Sequence, residues 1–537
     1  MSDDLHFFNA CPVMLGRGIS HYADFPQAAD LVAHLDYLGI ERSLVAHREA
    51  ADVNPGYGNR KLLDWIAPYR ERLYPALVVT PHLLYERDSL QALKAMLADG
   101  CRALVARPSS GGYRPGMLER LLQEVRGFKP FVHITLDEAD SLEIAALAGH
   151  FPDITFAVGG FYWPALSHVL DMLWRCPNVV VENSGNHVTG ALELTATGFG
   201  PERSLFGFRR RSDYGSTVAA LARADLAPAV RQRLAGGTLQ DLLDAGPFRG
   251  TITPPALLEQ KPLWRRFRQG GMLEEIEIID AHGHSGPADS WNYIDTSVEP
   301  ERYVRRLLDL LDRNSVNRLI VSHMTALKGN PLAGNREIEE ACARFDHQKR
   351  ISGYYVFNPL YGDELVPEIG PALDRGFFKG LKLLCSYWKV PLTDPRFTPV
   401  WEWAEKRHLP ILIHTWEGPH NSPAMLQDIV TKYPHAIFLL GHSGGGDPGR
   451  AEAVALALAN ANVRLEFCGS FMANTDFADS IRAVGIDRVV YGSDMDGHNP
   501  AWELGRFLSQ PLPDAELKPA LAANIRGILD GILPDAD

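Results

Sequence analysis

An internal repeat is the feature that most constrains how this chain can fold. Leu-Val-Ala-His at residues 44–47, followed by Gly-Asn-Arg at 58–60, matches Ile-Val-Ser-His at 320–323 and Gly-Asn-Arg at 334–336, at a constant offset of 276 residues. Further along the chain the offset rises to about 285, as insertions in loops would make it. The matched residues there include Gly159 with Gly441, Asn178 with Asn462, Glu182 with Glu466, and Arg203 with Arg488. The repeat predicts two fused copies of one domain.

Short apolar runs alternate with longer amphipathic stretches, which is the pattern of βα units around a parallel sheet. Eight such runs in the second copy match the strand number of a closed (β/α)8 barrel. They lie at residues 277–280, 318–322, 353–357, 380–384, 410–414, 437–441, 463–467 and 488–491. The 537 residues are enough for two such barrels. We therefore predict an α/β protein of two tandem (β/α)8 barrels of the TIM type.

A proline-rich stretch separates the two copies, and it includes a basic run, Arg-Arg-Phe-Arg, at 265–268. Such composition is typical of a linker or of a solvated face between domains. The predicted boundaries are a first barrel at residues 1–245, a linker at 246–274 and a second barrel at 275–537.

Charge and cysteine usage narrow the class of protein. The net charge of -13 argues against a nucleic-acid binder, which normally carries a basic face. The six cysteines include no Cys-x-x-Cys spacing, so neither a disulfide framework nor a thiolate zinc cluster is indicated. The chain starts Met-Ser-Asp-Asp with no long apolar run after it, which predicts a cytoplasmic protein without a membrane span. The expected partner is a small-molecule substrate, with further copies of the chain as an open alternative.

One strand of the second copy, Ile-Ile-Asp-Ala-His-Gly-His at 278–284, ends in two histidines. Side chains two residues apart on a strand project to the same face, so His282 and His284 could occupy adjacent positions on a metal ion. A His-Gly-His triplet in a surface turn is the alternative. Later apolar runs also end in polar side chains that could complete a metal site, namely His414, His442 and Asp494.

These motifs resemble those of the amidohydrolase superfamily, and within it the amidohydrolase-related metal-dependent hydrolases and decarboxylases. The resemblance rests on IIDAHGH, GLKLL, PILIHT, FLLGHSGGG and VVYGSDMDG, which span the second copy from about residue 276. It implies a metal-dependent hydrolase barrel with one divalent metal, expected to be zinc, with Mn2+ or Fe2+ as alternatives. The implied metal ligands are His282, His284, His414 and Asp494. It further implies that His442 is a catalytic acid, base or electrophile, or a ligand in two-metal relatives.

The expected reaction is attack of a metal-activated water on an amide, ester or lactone bond of a small molecule. Asp494 would accept the proton of that water, and His442 would stabilise charge that develops on the substrate. A non-oxidative decarboxylase of a small carboxylate is the first alternative, because the same groups can assist loss of carbon dioxide. A non-catalytic binding or scaffold protein is the second.

Two further residues are candidates for substrate binding. Some superfamily members carboxylate a strand-four lysine to bridge two metals, but GLKLL is closer to the unmodified GxKxHP form, from which Leu384-Cys385 departs. We therefore expect a mononuclear site in which Lys382 binds a substrate carboxylate, with a surface salt bridge as the alternative. Trp416 follows His414 and is expected at the substrate, with simple packing as its alternative.

The first copy lacks the family's metal ligands. In the alignment of the two copies, His442 corresponds to Gly160, Asp494 to Arg209 and Lys382 to Ala106. His414 corresponds to a position at or beside His133. The histidine pair corresponds either to Asn9 and Cys11 or to His6 and Phe8. An arginine in place of the metal carboxylate puts positive charge where a cation should bind. The first barrel is thus predicted to be degenerate and without a metal site, and to stabilise the second barrel, imitate a dimer partner or cover its mouth.

Overall fold

The computed structural model describes residues 5–18, 24–160, 165–287, 298–470 and 476–534. The chain divides into two compact units, unit 1 at Met1–Leu258 and unit 2 at Glu259–Asp537. The division falls within the segment that the sequence predicts as a linker. Each unit is built on its own parallel sheet, as the prediction of two α/β barrels requires.

Unit 1 contains eight parallel strands that pair in chain order from β1 to β8. They are β1 (Phe7–Leu15), β2 (Ile40–His47), β3 (Leu73–Val79), β4 (Ala103–Ala106), β5 (Phe131–Thr135), β6 (Thr155–Gly159), β7 (Val179–Glu182) and β8 (Ser204–Leu205). The N–H of Ala10 in β1 donates to the carbonyl of Phe206, 3.0 Å away, just after β8. This bond brings the last strand back beside the first, as in a barrel.

The helices of unit 1 follow the strands in the βα order that the sequence pattern predicts. They are α1 (Ala28–Leu38), α2 (Arg48–Asp52), α3 (Pro55–Ile66), α4 (Ser89–Ala98), α5 (Glu119–Val125), α6 (Ser141–His150), α7 (Leu166–Arg175), α8 (Ala191–Phe199), α9 (Ser216–Ala222), α10 (Pro228–Gln232) and α11 (Thr238–Leu242).

Unit 2 contains seven parallel strands, which also pair in chain order. They are β9 (Ile279–Ser285), β10 (Arg318–His323), β11 (Ile351–Val356), β12 (Phe378–Leu383), β13 (Pro410–His414), β14 (Ile437–Gly441) and β15 (Val463–Leu465). Its helices are α12 (Pro262–Phe267), α13 (Pro300–Arg313), α14 (Met324–Lys328), α15 (Pro331–Phe345), α16 (Gly362–Asp374), α17 (Cys385–Trp388), α18 (Thr398–Arg407), α19 (Gln427–Lys432), α20 (Gly449–Ala459), α21 (Phe477–Val484), α22 (Pro500–Leu508), α23 (Asp514–Lys518) and α24 (Asn524–Asp530).

The eighth run predicted for unit 2, residues 488–491, closes the ring through single bridges. Val489 pairs with Leu465 of β15, and the N–H of Ala281 in β9 donates to the carbonyl of Tyr491 at 3.0 Å. Beyond this run, the N–H of Ser493 donates to the carboxylate of Asp280 at 3.0 Å, and pairing with β9 resumes at a single bridge between Gly283 and Met495. Both sheets therefore have the strand order of a TIM-type barrel, and the predicted fold class is confirmed.

The repeated Gly-Asn pair is explained by packing inside each unit. A side chain on Gly58 of α3 would overlap the backbone of Ala50 in α2, and one on Gly334 of α15 would overlap that of Ala326 in α14. The next residue, Asn59, exchanges two hydrogen bonds of 2.9 Å with the backbone of the third strand at Val78, and Asn335 does the same at 3.0 Å in unit 2. The repeat signature is therefore a scaffold feature.

The same helices begin in the same way in both units. Asn54 and Asn330 cap α3 and α15, each accepting a backbone N–H with its side-chain oxygen, and a proline follows each cap. An asparagine cap with proline in the first turn is favourable for a helix start, because it supplies one acceptor and removes one orphan donor.

Within the part of the chain that the structure describes, no helix is both long enough and apolar enough to cross a membrane.

Candidate metal centre

Three side chains that the sequence singles out converge at the carboxyl end of the unit 2 barrel. His284 Nε2 lies 2.7 Å from Asp494 Oδ1, and His282 Nε2 lies 3.6 Å from the same oxygen. One ligand atom from each of the three residues lies within 4.8 Å of the other two. Two imidazoles and a carboxylate in this arrangement are a donor set suited to zinc or a similar divalent ion.

Asp280 determines the backbone geometry of this site. Its buried carboxylate accepts the N–H groups of His282 and Ser493 at 3.0 Å each, and so joins the end of β9 to the turn that carries Asp494. The N–H of Asp494 in turn donates to the carbonyl of His282 at 2.7 Å. Burial raises the pKa of Asp280 to about 7, against the lowering effect of these hydrogen bonds. Asp280 therefore positions the ligands without facing the metal site.

Glu466, just after β15, holds the other nitrogen of His282. Its Oε2 lies 2.8 Å from His282 Nδ1, and both side chains are fully buried. Burial raises the pKa of Glu466 to about 8, against the lowering effect of hydrogen bonds from Cys468 and from the backbone of His442. A cation at Nε2 places the imidazole proton on Nδ1, which is the tautomer a metal ligand needs.

Neighbouring side chains also orient His284 and set the protonation state of Asp494. His284 Nδ1 lies 3.0 Å from the hydroxyl of Ser322 on β10, which leaves Nε2 directed at Asp494. Burial alone would raise the pKa of Asp494, but His498, His282 and His284 together hold it well below its usual value. The carboxylate is therefore ionised, as a ligand must be.

His442 lies beside these residues at the end of β14. Its ring centroid is 5.0 Å from that of His282 and 4.6 Å from that of His414. His442 Nδ1 donates to the carbonyl of Cys468 at 2.7 Å, so Nε2 carries a free electron pair. Burial lowers the pKa of His442 to about 4, which keeps the ring neutral.

His414 lies at the edge of the group rather than within it. Among the described residues, neither ring nitrogen of His414 belongs to a group of donor atoms that all lie within 4.8 Å of one another. His414 Nδ1 is 3.1 Å from the amide of Asn421, and its ring stacks against Trp416 at 6.1 Å. Trp416 also lies 5.8 Å from His442, so this half-buried indole borders the candidate site.

Lys382, on β12, reaches the centre of the site. Its Nζ lies 2.8 Å from His282 Nε2, the atom expected to face the metal. Burial lowers the pKa of Lys382 to about 8, against the raising effect of the nearby carboxylates of Asp494 and Glu466. Because the side chain is fully buried, the surface salt bridge considered from the sequence does not fit.

Several residues of this site were not singled out as functional by sequence reasoning. Cys468 lies close to His282, His442 and Glu466, and these four residues form a second group of neighbouring ligand atoms. His498 lies 3.7 Å from Asp494 and 3.7 Å from Glu503. Only Glu466 carried a signal, since the repeat pairs it with Glu182.

Comparison with solved structures finds proteins that each match about half of this chain over nearly their whole length. A 5-carboxyvanillate decarboxylase from Sphingomonas paucimobilis is 15% identical with a TM-score of 0.38, and the match covers 48% of this chain and 99% of that one. A 2,6-dihydroxybenzoate decarboxylase from Rhizobium is 16% identical with a TM-score of 0.37, covering 48% and 99%. A 5-carboxyvanillate decarboxylase from Novosphingobium aromaticivorans, complexed with manganese, is 15% identical with a TM-score of 0.38, covering 48% and 97%. Similarity at this level does not identify the reaction.

No curated protein matches the chain. A family model described as Amidohydrolase matches residues 15–238 and 279–529, which together are more than half of the chain and include both barrels. The second matched region includes His282, His284 and Asp494. The chain therefore belongs to the amidohydrolase family.

Proposed function

We propose that unit 2 is a metal-dependent hydrolase that cleaves an amide, ester or lactone bond in a small molecule. The observation that carries this proposal is the convergence of His282, His284 and Asp494 with 2.7 Å and 3.6 Å between ligand atoms. When bound, the metal would supply Lewis acidity toward a water or a substrate oxygen. We expect zinc, with Mn2+ or Fe2+ as alternatives.

The ligand set would comprise His282, His284 and Asp494, with His414 as a fourth ligand. His414 would have to move toward the other three ligands, because it lies beside His442, with 4.6 Å between the ring centroids, rather than within the group. Its Nδ1 would then have to carry the proton, so the amide of Asn421 would present its oxygen rather than its nitrogen.

Two side chains would move the protons of the reaction. Asp494 would accept the proton of the attacking water and pass it to the leaving group, because its carboxylate lies among the ligand atoms and is held ionised. His442 presents a free Nε2 electron pair, since Nδ1 is held by the carbonyl of Cys468 at 2.7 Å. This tautomer favours a role as acid or base over a role as a neutral hydrogen-bond donor to the substrate.

Lys382 and Trp416 would bind the substrate. The ammonium group of Lys382 is already buried in the folded protein, so pairing with a substrate carboxylate would supply the opposite charge that a buried cation needs. The indole of Trp416, 5.8 Å from His442, would form one wall of the substrate pocket.

The buried ammonium group of Lys382 also favours a second candidate function, a non-oxidative decarboxylase. Lys382 Nζ lies 2.8 Å from His282 Nε2, so a carboxylate held by Lys382 would itself lie at the reacting centre. In that case the substrate's carboxylate would leave as carbon dioxide, and the carbon would take a proton from solvent that His442 accepts at its free Nε2 and passes on.

The metal proposal is tested by metal analysis of the full chain after reconstitution. We expect His282→Ala to lose one metal equivalent relative to wild type, and His442→Asn to keep the metal and lose activity. His347→Asn, at an exposed histidine, is the matched control and should change neither. Unchanged metal content in His282→Ala would refute the proposal and leave a binding or scaffold role. Metal loss in His442→Asn would favour a two-metal site.

The two reactions are separated by a substrate screen. Small esters, lactones, amides and carboxylates are incubated with the reconstituted protein, and hydrolysis products and carbon dioxide are measured together. Sustained carbon dioxide release without a hydrolysis product would replace the hydrolase by the decarboxylase.

A further inference from the structure

We propose that unit 1 holds its own metal ion, a soft divalent cation such as zinc, on Cys11, His133 and Glu182. These three residues, called the unit 1 cluster, are 4%, 3% and 0% exposed. One ligand atom from each lies within 4.8 Å of the other two, and His133 Nε2 is 3.4 Å from Glu182 Oε2. The sequence predicts a first barrel without a metal site, and the inference departs from that expectation.

Cys11 stands where unit 2 has its first histidine ligand. Asn9 Oδ1 accepts the N–H of Cys11 at 3.0 Å and that of Phe208 at 2.7 Å. Asp280 accepts the N–H groups of His282 and Ser493 in the same pattern. The end of β1 therefore directs a thiol to the position at which β9 directs an imidazole.

Glu182 is the repeat partner of Glu466 but has a different environment. Its Oε2 accepts the hydroxyl of Ser184 at 3.0 Å, and a side chain on either Gly159 or Gly207 would overlap the carboxylate. The backbone thus leaves a space shaped for this carboxylate inside the barrel. A fully buried carboxylate needs a positive partner. Among the described residues, Glu182 forms its ion pair with the imidazole of His133.

The charges around the cluster are those of a metal site. A thiolate and a carboxylate neutralise a divalent cation, and His133 adds a neutral donor. The nearby guanidinium of Arg209 is paired with Asp137 at 2.7 Å, which offsets part of its positive charge. Arg209 also interacts electrostatically with Cys11, where it favours the thiolate that a metal ligand needs.

The ligand types also select the ion. A thiolate beside an imidazole favours zinc over magnesium or calcium, which prefer oxygen donors. Tetrahedral zinc holds its ligand atoms about 3.3 Å apart, so a pair at the 4.8 Å limit of the cluster would contract by about 1.5 Å. Three protein ligands leave a fourth position for water or a small ligand.

The test uses the full chain with the unit 2 site removed by His282→Ala, Cys468→Ser and Asp494→Ala. After metal depletion and titration with Zn2+, we expect one equivalent of zinc per chain in this background. Adding Cys11→Ser should abolish it, whereas Cys101→Ser, at another buried cysteine of unit 1, should leave it unchanged. With Co2+ as the probe, a thiolate-to-cobalt charge-transfer band should appear and depend on Cys11 alone.

Zinc absent from the background variant, or bound equally after Cys11→Ser, would overturn the proposal and leave a plain ion pair between His133 and Glu182. If the combined variant fails to fold, X-ray absorption of zinc in Cys468→Ser decides. A sulfur neighbour at about 2.3 Å supports the proposal, and a shell of only nitrogen and oxygen overturns it.

Discussion

At the scale of single residues, Glu466 decides how His282 can act. A metal-ligating histidine usually donates its second N–H to a carboxylate or carbonyl, which sets the tautomer and orients the ring. Glu466 provides that partner at 2.8 Å from inside the barrel wall. The tautomer and orientation of His282 as a metal ligand thus depend on a residue 184 positions away in the chain.

We predict that Glu466→Gln lowers the metal affinity of unit 2 by about 10-fold to 100-fold, because an amide is a weaker acceptor for the Nδ1 proton. Competition with a chelator in the Cys11→Ser background measures this affinity. Glu405→Gln is the matched control, since Glu405 holds Nδ1 of the exposed His435 in the same way. An affinity equal to wild type in Glu466→Gln would show that the pair does not set the tautomer.

His323 gives a prediction about pH. It is fully buried at the end of β10, and neither ring nitrogen has a hydrogen-bond partner among the described residues. Burial lowers its pKa from 6.5 to about 4. Between these values the unfolded chain binds a proton that the folded chain does not, so stability falls as pH drops from about 6.5 to 4.

The predicted loss at His323 is about 2 kcal/mol of unfolding free energy at pH 5 relative to neutral pH. His323→Leu should remove this part of the pH dependence, whereas His347→Gln at the surface should not. Urea unfolding of the three proteins between pH 4 and pH 7 measures the difference. Parallel pH profiles for wild type and His323→Leu would contradict the prediction.

At the scale of elements, the turn after β14 shapes the wall of the candidate site. Gly445 has a φ of 73°, and a side chain there would overlap the ring of Trp416. Glycine is therefore needed for two reasons, its conformation and its lack of a side chain. Gly485 has a φ of 85°, but nothing lies within 4 Å of an added Cβ. Glycine is therefore needed there only for its backbone conformation.

Gly445→Ala should displace Trp416, whereas Gly485→Ala should not. Both variants are expected to lose about 1–3 kcal/mol of stability through the positive φ. Only Gly445→Ala should also lower kcat/KM, by about 10-fold to 100-fold, because the pocket wall moves relative to the reacting groups. The comparison uses thermal unfolding and the substrate found by the screen. Equal kcat/KM in the two variants would remove Trp416 from the substrate site.

The sequence pattern predicted the elements of unit 2 well where local periodicity decides them. The run at 410–414 and the run at 437–441 are strands with those bounds. The run at 463–467 is shorter than predicted, because β15 ends at Leu465 and the N–H of Cys468 then bonds the carboxylate of Glu466 instead of a neighbouring strand. The eighth run pairs with β15 through a single bridge, and within it the N–H of Tyr491 donates to the carbonyl of Ala520 at 3.0 Å rather than to β15.

At the scale of the whole molecule, the repeat marks a common scaffold. Asn178 Nδ2 donates to the carbonyls of Ala148, Phe151 and Ile154 at 2.9–3.0 Å. Asn462 Nδ2 does the same in unit 2, with the carbonyls of Val430, Tyr433 and Ala436 at 2.9–3.1 Å. Each asparagine joins the start of one strand to the loop before the preceding strand. Its presence in both copies is therefore explained by a role in folding.

We predict that Asn178→Ala and Asn462→Ala each destabilise the unit that contains the change by about 1–3 kcal/mol, because buried carbonyls lose their donor. Hydrogen exchange by mass spectrometry should show lost protection in that unit's peptides, with the other unit as the internal control. The same loss of protection in both units from either variant would contradict separate cooperative units.

The sequence by itself determined the duplicated α/β barrels, because strand and helix periodicity and the repeat are local or directly comparable along the chain. It also singled out His282, His284 and Asp494, since each stands where a strand ends. Only the tertiary structure decided which side chains meet. The contact of Lys382 with His282, the hold of Glu466 on the same ring, and the unit 1 cluster all join residues far apart in the chain. Such contacts depend on how the barrel closes, and the degenerate copy shows that one scaffold can bring a different set of donors together.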